Sequence, residues 1–164
     1  MAWGEPGRAE AFRLEAAGAR GGFSANESGR EFHKVEGFIN WNLPWSWELG
    51  KEWGLQPRLD LAAGWLGDGG QDAAIWSVGP SLVLGRKRLP LSLEGGVHPT
   101  GLSADRFGSK DFGTYIQFTS HVGLNWNFAR HWSVGYRFEH MSNAHLGTPN
   151  PGLNLHVFGL SYRF

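Results

Sequence analysis

His140 and Ser142 stand two residues apart, and no other pair in this chain is better suited to do chemistry. Positions i and i+2 of a β-strand share one face. On a strand, then, this imidazole approaches this hydroxyl and can act as its base. Asn143, His145, Asn150 and Asn154 follow within the next twelve residues. If the chain turns over Asn143–Gly152 and returns antiparallel, Asn154 lies across the hairpin from His140. A nucleophile, a base and a group that orients the base then meet at one place, the arrangement of a base-activated serine in acyl transfer. The same residues also suit the headgroup level of a membrane, and Asn150-Pro151-Gly152 is ordinary turn chemistry. Spacing alone leaves both readings open.

Composition removes many other kinds of chemistry. Cysteine is absent, which excludes disulfide scaffolds, thiol nucleophiles, Cys-zinc sites and iron–sulfur centres. Lys plus Arg equals Asp plus Glu at 15 each, so there is no basic field for nucleic acid. No G-x-S-x-G, H-E-x-x-H, Walker A or EF-hand loop is present. His33, His98, His121 and His131 show no metal-ligand spacing in sequence and read as structural, so neither a metal nor a cofactor is expected. No apolar leader follows Met1, and no apolar run approaches the ~18 residues of a membrane-spanning helix.

The elements that must carry His140 and Ser142 are strands. Over Tyr115–Phe128 the even positions are Ile116, Phe118, Ser120, Val122, Leu124, Trp126 and Phe128, and the odd ones are mostly polar. A period of two over so long a stretch is a strand with one apolar and one polar face. Seven more segments repeat it: Arg8–Arg20, Phe32–Leu43, Pro57–Leu66, Ala73–Leu84, Leu89–His98, Trp132–Ser142 and Leu153–Phe164. In the first of them Phe12, Leu14 and Ala16 form the apolar face, against Arg13, Glu15 and Ala17. Connections at 86–88 and 129–131 are tight, whereas 21–31, 67–72, 100–113 and 143–152 are long and polar. Long loops at one end and short ones at the other are the asymmetry of an outer-membrane barrel. Pro44–Gln56, with Trp45, Trp47 and Trp53, breaks the pattern; its tryptophans suit an anchor at the inner-leaflet interface.

No domain boundary interrupts residues 1–164. The expected fold is therefore all-β: one eight-stranded, antiparallel, up-and-down transmembrane β-barrel. Its polar face carries Arg13, Glu15, Lys34, Glu36, Arg58, Asp60, Glu94, Arg137 and Glu139, nearly balanced in sign. An eight-stranded barrel is just wide enough for such side chains to fill. The apolar face, rich in Trp and Phe, then meets lipid. A soluble carrier barrel, with the apolar face turned inward, is the competing architecture. In Trp132–Ser142 the even positions are the apolar ones. His140 and Ser142 therefore belong to the outer wall, and Glu139 points inward beside Arg137.

His-x-Ser-Asn at 140–143, then a Pro-Asn-x-Gly turn at 149–152 into a terminal aromatic strand, resembles the lipid A 3-O-deacylase family, the PagL-type outer-membrane enzymes. The resemblance extends to the length, the eight strands, a Trp-rich second strand and the terminal strand. It implies an outer-membrane serine esterase that removes the 3-hydroxyacyl chain at position 3 of lipid A. Ser142 would be the nucleophile, His140 the general base and Asn154 the third member. Asn150, with the backbone N–H after Asn143, would hold the oxyanion near His145. The implied partner is lipopolysaccharide in the outer leaflet, with no nucleic acid and no cofactor; a homodimer is compatible with this. Two positions depart from the family pattern. Asn154 stands where active members carry Glu, and His145 where Gly is frequent. His145 or His156 would add charge toward lipid phosphates. A barrel of the same descent that binds lipid without turnover is the alternative.

Overall fold

A computed structural model describes residues 12–25 and 31–164, and among these every regular element is a β-strand. In chain order they are β1 (Arg13–Ser24), β2 (His33–Asn42), β3 (Trp47–Leu49), β4 (Trp53–Gly67), β5 (Asp72–Arg86), β6 (Leu91–Leu102), β7 (Arg106–Phe107), β8 (Lys110–Asp111), β9 (Ile116–Trp126), β10 (Trp132–Ser142) and β11 (Leu153–Arg163). The eight long strands pair antiparallel in the circular order β1-β2-β4-β5-β6-β9-β10-β11. β11 returns to β1, with Ala16 opposite Arg163 and Ser24 opposite Leu155, and this pairing closes the barrel. Closure leaves no open edge among these strands, as a hydrocarbon environment requires. At ~3.4 Å per residue and a tilt near 40°, the 11 residues of β10 rise roughly 28 Å, enough for an apolar band about 25 Å tall.

Sidedness follows the sequence alternation. Trp65, Trp76, Val122, Trp126, Phe158 and Phe164 stand on the outside, with Trp65 65% and Phe164 63% exposed. Lys34, Glu36, Asp60, Glu94, Arg137 and Glu139 are buried inside. Charges taken from water must be paired to be tolerated, and these are. Lys34 bonds Glu139, Arg20 bonds Glu36 and Arg137 bonds Glu94. At the end with short turns Glu15 is shared by Arg13 at 3.1 Å, Arg163 at 3.3 Å and Arg58 at 3.7 Å.

The structure corrects several expectations. The first strand runs to Ser24, beyond Arg20, while residues 8–11 lie outside the described residues. Its register with β2 shifts between Leu14 and Ala16. This bulge at Glu15 reverses the alternation. Ala16 and Arg20 therefore face inward while Ala19 faces out, the opposite of the uniform alternation expected there, and Phe23 continues the outward series beyond the expected strand. Glu139 does point inward, but its partner is Lys34, because Arg137 is held by Glu94. Pro44–Gln56 contains a short hairpin: β3 pairs with the start of β4, Trp47 opposite Leu55. Trp45, Trp47 and Trp53 are exposed at the short-turn end, where an aromatic girdle sits in this class of barrel.

The lumen is also not polar throughout. Towards the long loops it gives way to an apolar plug that includes Phe32, Leu66, Leu102, Phe107, Phe112, Met141 and Leu153. Phe32, Phe107 and Phe112 meet edge to face, with centroids 5.4–6.0 Å apart. Phe107 ends β7 and Phe112 follows β8, so the plug ties the long 103–115 loop down onto the barrel mouth. Burying each such ring is worth roughly 2 kcal/mol.

Candidate active site

β10 and β11 bring His140 and Asn154 together because their register sets the two directly opposite each other. Both have outward parity at the long-loop end of the wall. The His140 Nδ1–H donates to Asn154 Oδ1 over 2.8 Å. A carboxamide oxygen can only accept, so this bond places the imidazole proton on Nδ1 and leaves the Nε2 lone pair free. Ser142 follows on the same face of β10, half-buried beside Phe118 of β9. Gly152 closes the far side of the ring. It has φ 65°, and a Cβ there would lie 3.0 Å from His140 Cε1. Gly152 thus serves two needs, a left-handed turn and close approach to the base.

The loop after Ser142 is organised by Asn143, which is fully buried. Its Nδ2 lies within bonding distance of the carbonyls of Phe112 (2.8 Å), Pro149 (2.9 Å) and Gly147 (3.2 Å). Its Oδ1 accepts the backbone N–H of His145 at 2.9 Å. Its own backbone N–H donates to Asn150 Oδ1 at 3.0 Å. The backbone N–H groups of Asn143 and His145 are therefore engaged within the loop. The bond to Asn150 Oδ1 fixes that carboxamide and leaves its Nδ2 as a donor. The N–H just after Asn143, on Ala144, belongs to an unusual stretch, for Ala144 (φ 50°) and His145 (φ 66°) are both left-handed without being glycine. Each such residue costs of order 1–3 kcal/mol and persists only where surroundings over-determine it. The polar contacts of the buried Asn143 side chain with Phe112, Gly147, Pro149 and His145 do so here.

Spacing gave no warning of the supports beneath this loop. Phe112 reaches Asn143 from the 103–115 loop, and Gly113 (φ 75°) packs so tightly that a Cβ would collide with the Pro149 carbonyl. Ser120 of β9, outward and opposite His140, lies 3.4 Å from the His140 carbonyl. One row deeper on the wall, His156 pairs its Nδ1 with the Tyr136 hydroxyl at 2.9 Å and packs against Phe23 and Phe138. His145, by contrast, is exposed in the loop. Inside the barrel, His98 and His121, which look unrelated in sequence, meet with ring centroids 4.8 Å apart.

The model of the family described as lipid A 3-O-deacylase (PagL) matches residues 33–163. The lipid A deacylase PagL of Bordetella bronchiseptica is 29% identical over 167 residues, covering 92% of this chain and 87% of that protein. PagL of Pseudomonas aeruginosa is 29% identical over 126 residues, covering 70% of this chain and 72% of that one. The crystal structure of the outer membrane enzyme PagL has the same fold, at TM-score 0.72 and 24% identity over 92% of this chain and 98% of that chain. Neisserial surface protein A shares the barrel at TM-score 0.56 and 14% identity, covering 92% of this chain and 96% of that one. The chain belongs to the lipid A 3-O-deacylase (PagL) family.

Proposed function

We propose that Ser142 and His140 carry out the deacylation of lipid A at position 3, on the outer wall of the barrel. By family the chain is an outer-membrane ester hydrolase acting on lipid A; the residue roles are our reading. The observation that carries it is the 2.8 Å bond between His140 Nδ1 and Asn154 Oδ1, which leaves a base on the face that also holds Ser142.

Lipid A in the outer leaflet brings its ester carbonyl to Ser142 by lateral diffusion. His140 Nε2 takes the hydroxyl proton as Oγ attacks the carbonyl carbon. The oxyanion accepts hydrogen bonds from Asn150 Nδ2 and the Ala144 N–H; one such donor is typically worth ~3 kcal/mol. The intermediate collapses, the sugar oxygen leaves with the proton from His140, and an acyl-serine remains. Water loses a proton to His140 as it attacks the acyl carbon, the Oγ–acyl bond breaks, Ser142 Oγ takes that proton back, and the 3-hydroxy fatty acid is released. Every side chain in this scheme comes from β10, β11 and the loop between them, so a second copy in a homodimer is not required. We assign exposed His145 in the adjoining loop to contact with lipid phosphates.

A second reading, a barrel that binds lipid A without turnover, draws on Asn154. A carboxamide holds the tautomer but gives the imidazolium no charge. Mass spectrometry of lipid A from cells expressing the chain separates the two. The expected result is loss of one 3-hydroxyacyl group, restored in Ser142→Ala. An unchanged spectrum from a folded, outer-membrane-resident barrel overturns the enzymatic reading.

A further inference from the structure

Four neighbouring strands, β4, β5, β6 and β9, each turn one polar residue to the same point of the lumen: Asp60, Ser81, His98 and His121. All are buried. Ser81 Oγ lies 2.6 Å from Asp60 Oδ2 and 3.1 Å from His98 Nε2. His98 Nε2 is 3.6 Å from Asp60 Oδ2, and ligand atoms of Asp60, His98 and His121 all fall within 4.8 Å of one another. Two ligands each ~2.0 Å from a tetrahedral zinc are roughly 3.3 Å apart. The three atoms are thus one small side-chain adjustment from a coordination shell.

Two independent observations point the same way. His121 Nε2 is buried with no hydrogen-bond partner, although His121 is 7% exposed and an unmet buried polar atom is costly. The charge around it is also unbalanced. Arg137 serves both Glu94 and Asp60, its Nη2 standing 3.7 Å from Asp60 Oδ2. Within this layer two carboxylates thus face one guanidinium, while Arg20 and Lys34 balance Glu36 and Glu139 on one side and the surplus cations Arg58 and Arg163 are held by Glu15 on the other. The walls leave room for the rings. A Cβ on Gly79 would come within 2.7 Å of His98 Cδ2, and one on Gly96 within 2.9 Å of His121 Cε1.

We propose that Asp60, His98 and His121 form a buried site for one divalent transition-metal ion inside the barrel. Two imidazoles and one carboxylate suit zinc, and Ser81 or a water would complete the shell. The ion would satisfy His121 Nε2, neutralise the excess carboxylate and cross-link three strands that are distant in sequence. This inference is independent of the deacylase reading, since none of these residues lies on the outer wall.

The test is to refold the chelator-washed full chain in detergent with Zn²⁺, desalt it, and count metal by plasma mass spectrometry. About one equivalent is expected, with the same value in Ser142→Ala. Less than about 0.1 equivalent in the folded wild-type barrel overturns the site, as does retention of the full equivalent by a folded His98→Gln/His121→Gln chain, which would place the ion on exterior histidines. Should that variant not fold, Co²⁺ in the wild-type barrel decides. Strong tetrahedral visible absorption supports the lumen site; only weak octahedral bands, as from exposed histidines, refute it.

Discussion

Two histidine clusters occupy opposite sides of one thin wall. Outside, His140 pairs with Asn154, has Ser142 beside it and faces lipid. Inside, His98 and His121 sit with Asp60 among ion pairs. The residue types are much the same, and a single step of strand parity separates their environments. A polar group on the lipid face that is not used by a substrate is costly. The outer cluster therefore reads as a site for a substrate that arrives through the membrane. The inner one is screened from lipid and from bulk water, so its polar groups must satisfy each other or hold a small ion.

The sharpest way to break this contrast is to remove the outer base. His140→Ala should lower lipid A deacylation by about 10³-fold or more while the heat-modifiable mobility of the folded barrel stays unchanged. Activity within a few fold of wild type would remove His140 from the mechanism. The inner wall should answer in the other currency. Lys34→Met leaves Glu139 without its bonded partner and Glu36 with Arg20 alone. It should cost about 3–5 kcal/mol of stability, read by tryptophan fluorescence during urea unfolding in lipid vesicles. Deacylation by the chains that remain folded should persist. A loss near zero would mean that the lumen tolerates unpaired carboxylates.

Smaller effects sharpen the outer cluster. Asn150→Ala removes a proposed oxyanion donor and frees the Asn143 N–H. Deacylation should fall about 10²- to 10³-fold, and a change below threefold would reassign the oxyanion site. The smallest effect expected is a gain. Asn154→Glu keeps an acceptor for His140 Nδ1 and adds a charge to stabilise the imidazolium. Initial rates on purified lipid A should rise about tenfold. No gain would show that orienting the ring, which Asn154 already does, is the whole of its contribution.

Much of this was legible in sequence because strand parity is strict. Alternation in Trp132–Ser142 fixes His140 and Ser142 outward and Glu139 inward, and all three stand so. The return of Asn154 opposite His140 also follows from parity and one loop. The expectation for β1 failed at Glu15, since a bulge adds a residue without leaving any compositional mark. The polar filling expected of the lumen holds in its middle and at the short-turn end. It gives way to Phe32, Phe107 and Phe112 at the mouth, where two of the three come from a loop that shows no period. The engagement of the Asn143 and His145 N–H groups was hidden for a similar reason. Which N–H remains free depends on the folding of Asn143 onto Phe112, Gly147 and Pro149, a matter of loop geometry that spacing does not encode.

Local order, then, was determined by the sequence alone: which residues form strands, which face of each is apolar, and that a histidine and a serine share the outer face. These depend on a period of two, which acts between neighbours. Tertiary structure decided the rest. Closing β11 on β1 and stacking β4, β5, β6 and β9 set Asp60 beside His98 and His121, and seated the 103–115 loop under Asn143. Such contacts join residues tens of positions apart. Their partners are chosen by barrel register and loop packing, which no short stretch of chain contains.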